Sequence, residues 1–357
     1  MLHAVSSAVV AAVAASPIWL SRAEIVNRPM TGAAWSQLVS YADQCGNGTP
    51  DASDRNNEER KRIVAAAIAY VRTGDESYRD AVVGNCQDVI GTEGGDTLSL
   101  GRCLFAYAFA AQLVDYHGPA FVDWIDDVRF TTISGRTLIS THEERPNNWG
   151  TWAGLSRLAV DVYIGDADDF AQAVTVWQGW FDGTWDHEYS SPFCWHDNDG
   201  LMTGINWENG VVPDDQRRCE CCPPTVSCEN YVFEALQGVI GSVGVMEHLG
   251  YPALSWWNNG LHRAWMQLDD WSCEAEGNDR WEPWFVNWAY GTDYPAPLPA
   301  EPGRSIGFTD WTHSTCRWDL DGDGEVAVSD QLLLLAHYDD FGSYGFLGML
   351  GSWGSCP

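Results

Sequence analysis

The sequence predicts a mainly α protein with a small calcium-binding module at its C-terminus. Four apolar-rich segments have helical spacing, each reaches a glycine in its last turn, and the first three glycines recur about every 45 residues. Such a period is typical of repeated helical hairpins, as in an α/α toroid or a helical solenoid. We expect the toroid, an incomplete barrel of helical hairpins, followed by a loop of the EF-hand kind.

The predicted helices are the segments 62–75, 102–118, 152–166 and 230–251. In the third segment, one face carries Trp152, Leu155, Ala159 and Val162, as an amphipathic helix would. The glycines that would cap the helix ends are Gly74, Gly118, Gly165 and Gly250. The long Trp- and Gly-rich connections 167–229 and 252–310 would then form loops over one mouth of the toroid.

Residues 1–16 contain a short apolar run that ends in small residues, as the core of a signal peptide does. The basic segment that usually precedes such a core is missing. A first core helix, or a chain truncated upstream, explains the run equally well. The remaining chain divides into a helical domain, 17–313, and a C-terminal module, 314–357, joined through the Pro-rich stretch Pro295–Pro302.

The charge balance excludes some classes of partner. The net charge is -31, and Lys61 is the one lysine among 19 basic residues. A nucleic-acid-binding protein needs a basic face to neutralise phosphates, so nucleic acid is not expected as a partner. No apolar run reaches the roughly 18–20 residues that cross a bilayer, so no membrane span is expected either.

The chain has 11 cysteines, a number that favours disulfides and an oxidising, extracellular compartment. Five of them lie between Cys194 and Cys228, and the run Cys219–Cys222 with Cys228 could alternatively hold zinc. Its adjacent cysteines lack the usual paired CxxC spacing, which favours disulfides over metal. We therefore expect a secreted protein.

The run DLDGDGEVAVSD near the C-terminus has the pattern of a calcium loop. Hard oxygen ligands at alternate positions wrap one Ca²⁺, and a glycine at position 6 allows the sharp turn. Positions 1, 3, 5, 7 and 12 are Asp319, Asp321, Asp323, Glu325 and Asp330, and position 6 is Gly324. The apolar segment QLLLLAHY follows at once, as the second helix of such a motif would.

Asp330 at position 12 and Val326 at position 8 make this loop resemble the repeats of dockerin modules rather than those of calcium sensors. The second half of the module, GSYGFLGMLGSWG, lacks an acidic loop, so one calcium ion is expected instead of two. The resemblance implies a structural Ca²⁺ and attachment to a cohesin-like or cell-surface anchor. Cys316 and Cys356 bracket the module and could staple its ends.

Tryptophan is frequent, with 20 residues. Those in the predicted mouth loops are Trp185, Trp195, Trp207, Trp256, Trp257, Trp281, Trp284 and Trp288. Flat aromatic faces suit the apolar faces of sugar rings, although at least half of these side chains are expected to serve packing. Loop tryptophans beside Asn and Asp indicate an extended glycan cleft.

Three segments, 139–166, 213–238 and 281–313, resemble those of secreted alginate-lyase-type polysaccharide lyases. The resemblance covers roughly residues 17–313 and implies an α/α toroid that cleaves a uronic-acid polymer by β-elimination. That reaction removes the C5 proton beside a carboxylate and expels the oxygen at C4. The carboxylate must be neutralised, and a base and an acid must move the proton. No catalytic cofactor is implied.

The resemblance assigns the catalytic tyrosine and arginine to Tyr231 and Arg218, with Arg217 beside the latter in the substrate site. Asn147 and Asn148 precede the third helix, where their amides and the helix N-terminus could face an anion together. Either asparagine could instead be a simple N-cap. We predict Asn148 as a catalytic stabiliser and Asn147 as a substrate ligand.

His142 is a candidate second base or carboxylate ligand, although a lone histidine is more often structural. Arg145 is assigned to the substrate, with pairing to Glu143 or Glu144 as the alternative. Further substrate ligands in the prediction are Trp149, Trp152 and His196. Trp152 stands where the family pattern usually has a histidine, a departure that leaves room for a different uronate or for binding without cleavage.

Two other functions remain open. The first is a glycoside hydrolase that uses two carboxylates, for which the candidates are Asp186, Glu188, Asp197, Asp199 and Glu208. The second is a non-catalytic glycan-binding or scaffold protein. The net charge opposes a polyanionic substrate unless a local positive cleft forms from Arg145, Arg157, Arg217 and Arg218.

Overall fold

The computed structural model describes residues 13, 16–145, 147–185, 215, 230–298, 300, 302–314, 325–336 and 354–355, with the backbone alone described for residues 230, 325, 326, 354 and 355. The chain is mainly helical, which confirms the predicted class. The described part contains one two-stranded antiparallel ladder, in which Glu325–Val326 pairs with Gly354–Ser355. No described helix is long and apolar enough to cross a membrane.

The helices of the first half are α1 (Arg22–Val26), α2 (Gly32–Ala42), α3 (Glu59–Thr73), α4 (Glu76–Asp88), α5 (Thr97–Leu113), α6 (Pro119–Asp127), α7 (Leu138–Glu144) and α8 (Asn148–Ile164). Those of the second half are α9 (Ala167–Asp182), α10 (Asn230–His248), α11 (Trp256–Asp270), α12 (Glu282–Tyr290), α13 (Thr309–Thr312) and α14 (Val328–Ala336). The short strands are β1 (Glu325–Val326) and β2 (Gly354–Ser355), and 3-10 turns span Val128–Phe130, Ala253–Ser255 and Gly277–Asp279.

Helices α3, α5, α8 and α10 form the interior of the domain. All residues of α5 except Gln112 are buried, as are nearly all of α8. A helix that is buried on every side has to be apolar all round, and the low-charge stretch LFAYAFAAQL of α5 meets that requirement. The four predicted helices thus coincide with these four interior helices. Helices α3, α5 and α8 start and end a few residues before the predicted segments, and α10 ends earlier than predicted.

Contacts between the helices show that α5, α8 and α10 run parallel. A Cβ at Gly101 would lie 2.9 Å from the backbone nitrogen of Ala153, and at the far ends of α5 and α8 the Tyr163 hydroxyl donates to the Tyr116 carbonyl. A Cβ at Gly238 would likewise lie 2.5 Å from the carbonyl carbon of Thr151. Glycines are needed where two helix backbones come this close.

Helix α10 keeps this direction, since a Cβ at Gly241 would meet the Leu155 side chain one turn further along α8. Helix α3 has the same direction as α5. Arg22 joins their C-terminal ends, because its guanidinium donates to the Leu113 carbonyl and lies over the Tyr70 ring at 5.7 Å. The N-termini of the four interior helices therefore meet at one end, which we call the N-terminal face.

The glycine prediction is correct at three helix ends and wrong at the fourth. Gly250, with φ of 81°, makes the left-handed turn just after α10. Gly74 and Gly165 are C-caps in the left-handed region, with φ of 73° and 78°. Gly118 is not a cap of α5, because that helix has already ended at Val114 and Asp115 makes the left-handed turn with φ of 53°. Gly118 instead precedes α6, with φ of -60°. Aspartate tolerates the left-handed region better than most residues, so glycine is not required there.

Candidate functional site

A network of charged side chains ties the N-terminal face together. Glu234, in the second turn of α10, accepts hydrogen bonds from Arg102 of α5 and from Arg304, whose Nε lies 2.8 Å from Oε1. Arg304 also donates to the Asn56 amide oxygen at 3.2 Å, just before α3. Glu234 is 2% exposed. One buried carboxylate therefore holds two guanidinium groups between three interior helices.

Trp149 lies next to this network, in the first turn of α8. The guanidinium carbons of Arg145 and Arg55 lie over its ring at 4.0 and 5.0 Å, within the range of cation–π attraction. Arg55 also pairs with Asp96, the N-cap of α5, through a 2.7 Å bond from Nε. Burial opposes ionisation of Asp96, but the hydrogen bonds from Arg55 and Ser99 outweigh it and lower its pKa. The half-buried indole of Trp149 is thus in contact with two guanidinium groups.

The two asparagines at the start of α8 have different roles. Asn147 is the N-cap, and its side-chain oxygen accepts from the Trp149 backbone N–H at 3.0 Å. The backbone N–H of Asn148 donates to the Asp215 carboxylate at 2.7 Å. Both asparagines are 2% exposed. The α8 N-terminus meets a carboxylate of the chain itself, and the roles of Asn147 and Asn148 toward a substrate stay a prediction.

Tyr231 occupies the first turn of α10, at the same face. Its side chain is 39% exposed, and it precedes Glu234 by three positions, which is about one helical turn. A phenol at this place is accessible from outside while the arginine network lies one turn deeper. The structure thus brings Tyr231, Asn147, Asn148 and Trp149 to one end of the domain.

His142 lies elsewhere, in the core. Its ring packs against Trp177 and Trp180 with centroids 5.4 and 5.3 Å apart, and a Cβ on Gly154 would touch it at 2.7 Å. Burial first, and then the charge of Arg157, lowers its pKa well below the usual value. A fully buried, neutral imidazole between two indoles is a packing residue, so the structural alternative for His142 is the favoured one.

Trp152 and Arg157 are also core residues. Trp152 is 0% exposed, where a sugar ring would have to open the α8 packing to reach it. Arg157 donates to Asp169 and Glu143, at 2.5 and 3.0 Å, and is 1% exposed. Its charge is therefore neutralised inside the protein and cannot contribute to a positive cleft. Arg217, Arg218 and His196 lie outside the described residues.

Two further carboxyl groups lie near Glu234. Asp279 accepts from Gln237 of α10 at 2.5 Å, and Glu282 follows at the start of α12. Burial, with the Glu234 charge next, raises the pKa of Asp279 to about 8. Burial and the neighbouring charges of Asp279 and Glu234 raise the pKa of Glu282 well above its usual value. A raised pKa favours the protonated, uncharged form of each group, and in that form neither group cancels the charge of the arginines.

Sequence reasoning missed Arg55, Arg102, Glu234 and Arg304. One local signal was present, because Tyr231, Glu234 and Gln237 are spaced to share a face of α10. The partners of that face could not be found from spacing, since Arg102 and Arg304 lie 132 and 70 positions from Glu234.

Three carboxylates at the opposite end of α8, Asp161, Asp166 and Asp169, bring their oxygens within 4.8 Å of one another. Arg129 already occupies the space between them and pairs with all three, at 3.3 Å to Asp166 and 3.2 Å to Asp169. A metal ion there would have to displace a buried guanidinium group. This cluster is thus accounted for as an ion-pair network.

The predicted calcium loop is described in part. Asp319, Asp321 and Asp323 lie outside the described residues, and Glu325 is in β1. Asp330 is buried in the first turn of α14, and its Oδ2 accepts from the Ala327 backbone N–H at 2.8 Å. The helix after the loop is present as expected, and calcium binding stays a prediction.

Comparison of the chain with models of protein families, with curated proteins and with solved structures finds no match. The interpretation of the N-terminal face therefore rests on its own residues. These are the exposed Tyr231, Trp149 in contact with two arginines, and the buried Glu234, which accepts hydrogen bonds from two further arginines.

Proposed function

We propose that the protein is a secreted polysaccharide lyase that cleaves a uronic-acid-containing glycan, of the alginate or glucuronan kind, by β-elimination. In this proposal the interior helices and their neighbours are the hairpins of an incomplete α/α toroid, and the glycan binds across the N-terminal face. The C-terminal module is a calcium-dependent, dockerin-like anchor. It attaches the enzyme to a cohesin-like protein or to a cell surface.

The observation that carries the proposal is the concentration of arginines at this face. The whole chain has a net charge of -31, yet Arg55 and Arg145 lie over Trp149, and Arg102 and Arg304 bind Glu234, three positions after Tyr231. A polyanionic substrate needs such a local positive potential to approach an acidic protein. The indole of Trp149 holds two of these guanidinium groups in place through cation–π contacts.

The reaction requires that negative charge can spread into the uronate carboxylate while the C5 proton leaves. Arg145 and Arg55 are suited to neutralise that carboxylate, with Arg218 and the Asn148 amide as further donors. Tyr231, as phenolate, takes the C5 proton. The C4–O4 bond breaks, a C4–C5 double bond forms, and the phenol returns the proton to the departing O4 oxygen.

A phenolate at Tyr231 needs nearby positive charge. Arg102 and Arg304 share the single carboxylate of Glu234, which leaves one positive charge in excess one turn below Tyr231. The pKa values of Asp279 and Glu282 are raised, which favours their uncharged forms, and in those forms they leave this excess intact.

A glycoside hydrolase is the second candidate, because Glu234 and Asp279 form a pair of carboxyl groups in different states. A paired, ionised carboxylate beside a protonated one is the arrangement of a base and an acid. Both are nearly fully buried, however, at 2% and 1% exposure, so a glycosidic oxygen reaches them only if the face opens. The exposed Tyr231 makes the lyase the better-supported choice.

One assay separates the candidates. The full chain is incubated with alginate, glucuronan and a neutral β-glucan, and both the ultraviolet absorbance of unsaturated uronate and the release of reducing ends are followed. A lyase raises both signals on a uronate polymer. Reducing ends without absorbance would replace the lyase with a hydrolase, and binding without either signal would leave a non-catalytic glycan-binding protein.

The variant Tyr231→Phe removes the proton-transfer group and should abolish the absorbance signal while the helical circular dichroism is unchanged. Tyr251→Phe, just beyond the other end of α10, is the matched control and should retain activity. Equal activity of both variants would remove Tyr231 from the mechanism.

A further inference from the structure

A separate cavity of about 390 Å³ lies between the C-terminal end of α11, the 3-10 turn at Gly277–Asp279 and the Pro-rich segment that follows α12. Its volume falls within the roughly 300–1,000 Å³ range of small-molecule sites. The cavity lies beside the N-terminal face. Trp265, which lines it, packs edge-on against Phe233 of α10 with ring centroids 5.8 Å apart. No step of the proposed lyase reaction uses it.

The wall of this cavity is held rigidly. Asn287 of α12 binds Tyr294 twice, through its amide nitrogen to the Tyr294 carbonyl at 3.0 Å and through its amide oxygen from the Tyr294 N–H at 2.8 Å. Trp284 donates its indole N–H to the Pro297 carbonyl at 2.9 Å. The part of the segment between Tyr294 and Pro297, which lines the cavity, is thus held at two points and does not have to be ordered by a ligand, which favours binding.

The cavity lining combines aromatic faces with charges of both signs. Trp265 and Tyr294 form a T-shaped pair at 6.2 Å, and Asp269, Glu274 and Arg280 complete the wall. In the part of the chain that the structure describes, the side chains of these three charged residues have no hydrogen-bond or ion-pair partner. A ligand in the cavity would therefore contact two carboxylates that accept hydrogen bonds, one guanidinium group that donates them, and an aromatic surface.

We propose that this cavity binds one pyranose unit of a neutral glycan. A carboxylate only accepts hydrogen bonds and a guanidinium only donates them, whereas a sugar hydroxyl does both, so vicinal hydroxyls satisfy all three charged groups. The apolar face of the ring then lies on the half-buried Tyr294, which packs against the buried Trp265. A uronate would face two carboxylates and one arginine and is disfavoured, and an amine would meet Arg280.

The inference is independent of the lyase proposal and concerns a different class of glycan. A neutral subsite beside a uronate-cleaving face would let the protein hold a mixed cell-wall polymer through its uncharged component. Failure of either proposal leaves the other standing, because the cavity residues and the residues around Tyr231 are distinct.

The test is calorimetric titration of the full chain with mannotetraose and cellotetraose, with free D-mannuronate as the charged probe. Mannuronate has no glycosidic bond at O4, so lyase chemistry cannot consume it. Binding of at least one neutral tetrasaccharide is expected. Asp269→Asn, Glu274→Gln and Arg280→Gln should each raise its Kd about tenfold or more, which is about 1.4 kcal/mol.

Asp270→Asn is the matched control. Asp270 is the neighbour of Asp269 on α11, is exposed, and is not part of the cavity lining, so its replacement should change the Kd less than twofold. The proposal is overturned if neither tetrasaccharide binds, if mannuronate binds more tightly than both, or if Asp270→Asn weakens binding as much as Asp269→Asn.

Discussion

Replacing Asp279 by asparagine should flatten the pH dependence of stability. Asp279 is 1% exposed, its Oδ1 accepts from Gln237 at 2.5 Å, and burial and Glu234 together raise its pKa to about 8. Asparagine has the shape of the protonated carboxyl group and can accept the same hydrogen bond. Below pH 3.8, where the unfolded chain also keeps the Asp279 proton, the substitution should therefore change stability by less than about 1 kcal/mol. At pH 6 the variant should be about 3 kcal/mol more stable than the wild-type chain, because only the wild-type chain has to take up a proton on folding.

The magnitude follows from the two pKa values. In the unfolded chain Asp279 has its ordinary pKa of 3.8, whereas in the folded chain its pKa is about 8. Between these values the folded state binds one proton more, so the free energy of unfolding falls by about 1.4 kcal/mol for each pH unit of increase. From pH 6 to pH 8 the loss attributable to this group is about 2 kcal/mol. The stabilisation is complete below the unfolded pKa and disappears as pH rises through the folded value.

The assay is urea unfolding followed by tryptophan fluorescence at pH 6, 7 and 8. The stability of the Asp279→Asn variant relative to the wild-type chain should rise by about 2 kcal/mol across this range. Asp123→Asn, at an exposed position of α6, controls for the loss of a carboxylate and should show no such trend. Parallel pH profiles for the wild-type and Asp279→Asn chains would refute the assignment of a protonated carboxyl group.

Four further outcomes follow from the structure. Gly238→Ala places a Cβ 2.5 Å from the α8 backbone and should cost about 1–3 kcal/mol of stability in urea unfolding, whereas Gly84→Ala, in a helix with open space, should gain about 0.5–1 kcal/mol. Glu234→Gln leaves the guanidinium groups of Arg102 and Arg304 without their counter-charge and should lower the free energy of unfolding in urea by about 3–5 kcal/mol. A smaller loss would mean that the two arginines turn to solvent. The His142 imidazole should stay neutral from pH 7 to pH 5 in ¹⁵N NMR, because burial lowers its pKa. A calcium chelator should increase hydrogen exchange in residues 325–336 and leave the interior helices protected, and global unfolding would show that the module and the helical domain are one unit.

The sequence predicted the interior helices because their apolar content and glycine spacing are local signals. Their starting points were less accurate, since α5 and α8 begin at the polar caps Asp96 and Asn147, ahead of the apolar windows. Gly118 was misassigned because an aspartate can take the left-handed turn that a glycine usually supplies. Which helices run parallel could not be predicted, because that depends on close contacts such as Gly238 with Thr151, far apart in the chain.

For the candidate site, the sequence identified the residues that begin a helix and missed those that are brought there by tertiary structure. Tyr231 and Asn148 could be found because helix starts have recognisable neighbours. Arg304 joins Glu234 across 70 positions and Arg55 joins Asp96 across 41, and no periodic pattern reports such pairs. The assignments of His142 and Trp152 to the substrate did not take account of how fully the packing of α8 would enclose them.

The parallel packing also decides what can recognise a uronate carboxylate. Each interior helix points its positive end at the N-terminal face, worth about half a unit charge before screening. Two of these ends are already met by the chain's own carboxylates, because Asp96 caps α5 and Asp215 accepts from the first N–H of α8. A substrate anion would have to displace them to reach the helix ends. In the proposed lyase, recognition is therefore expected to depend on the guanidinium groups of Arg55 and Arg145, which lie over Trp149, rather than on the backbone N–H groups of the helix ends.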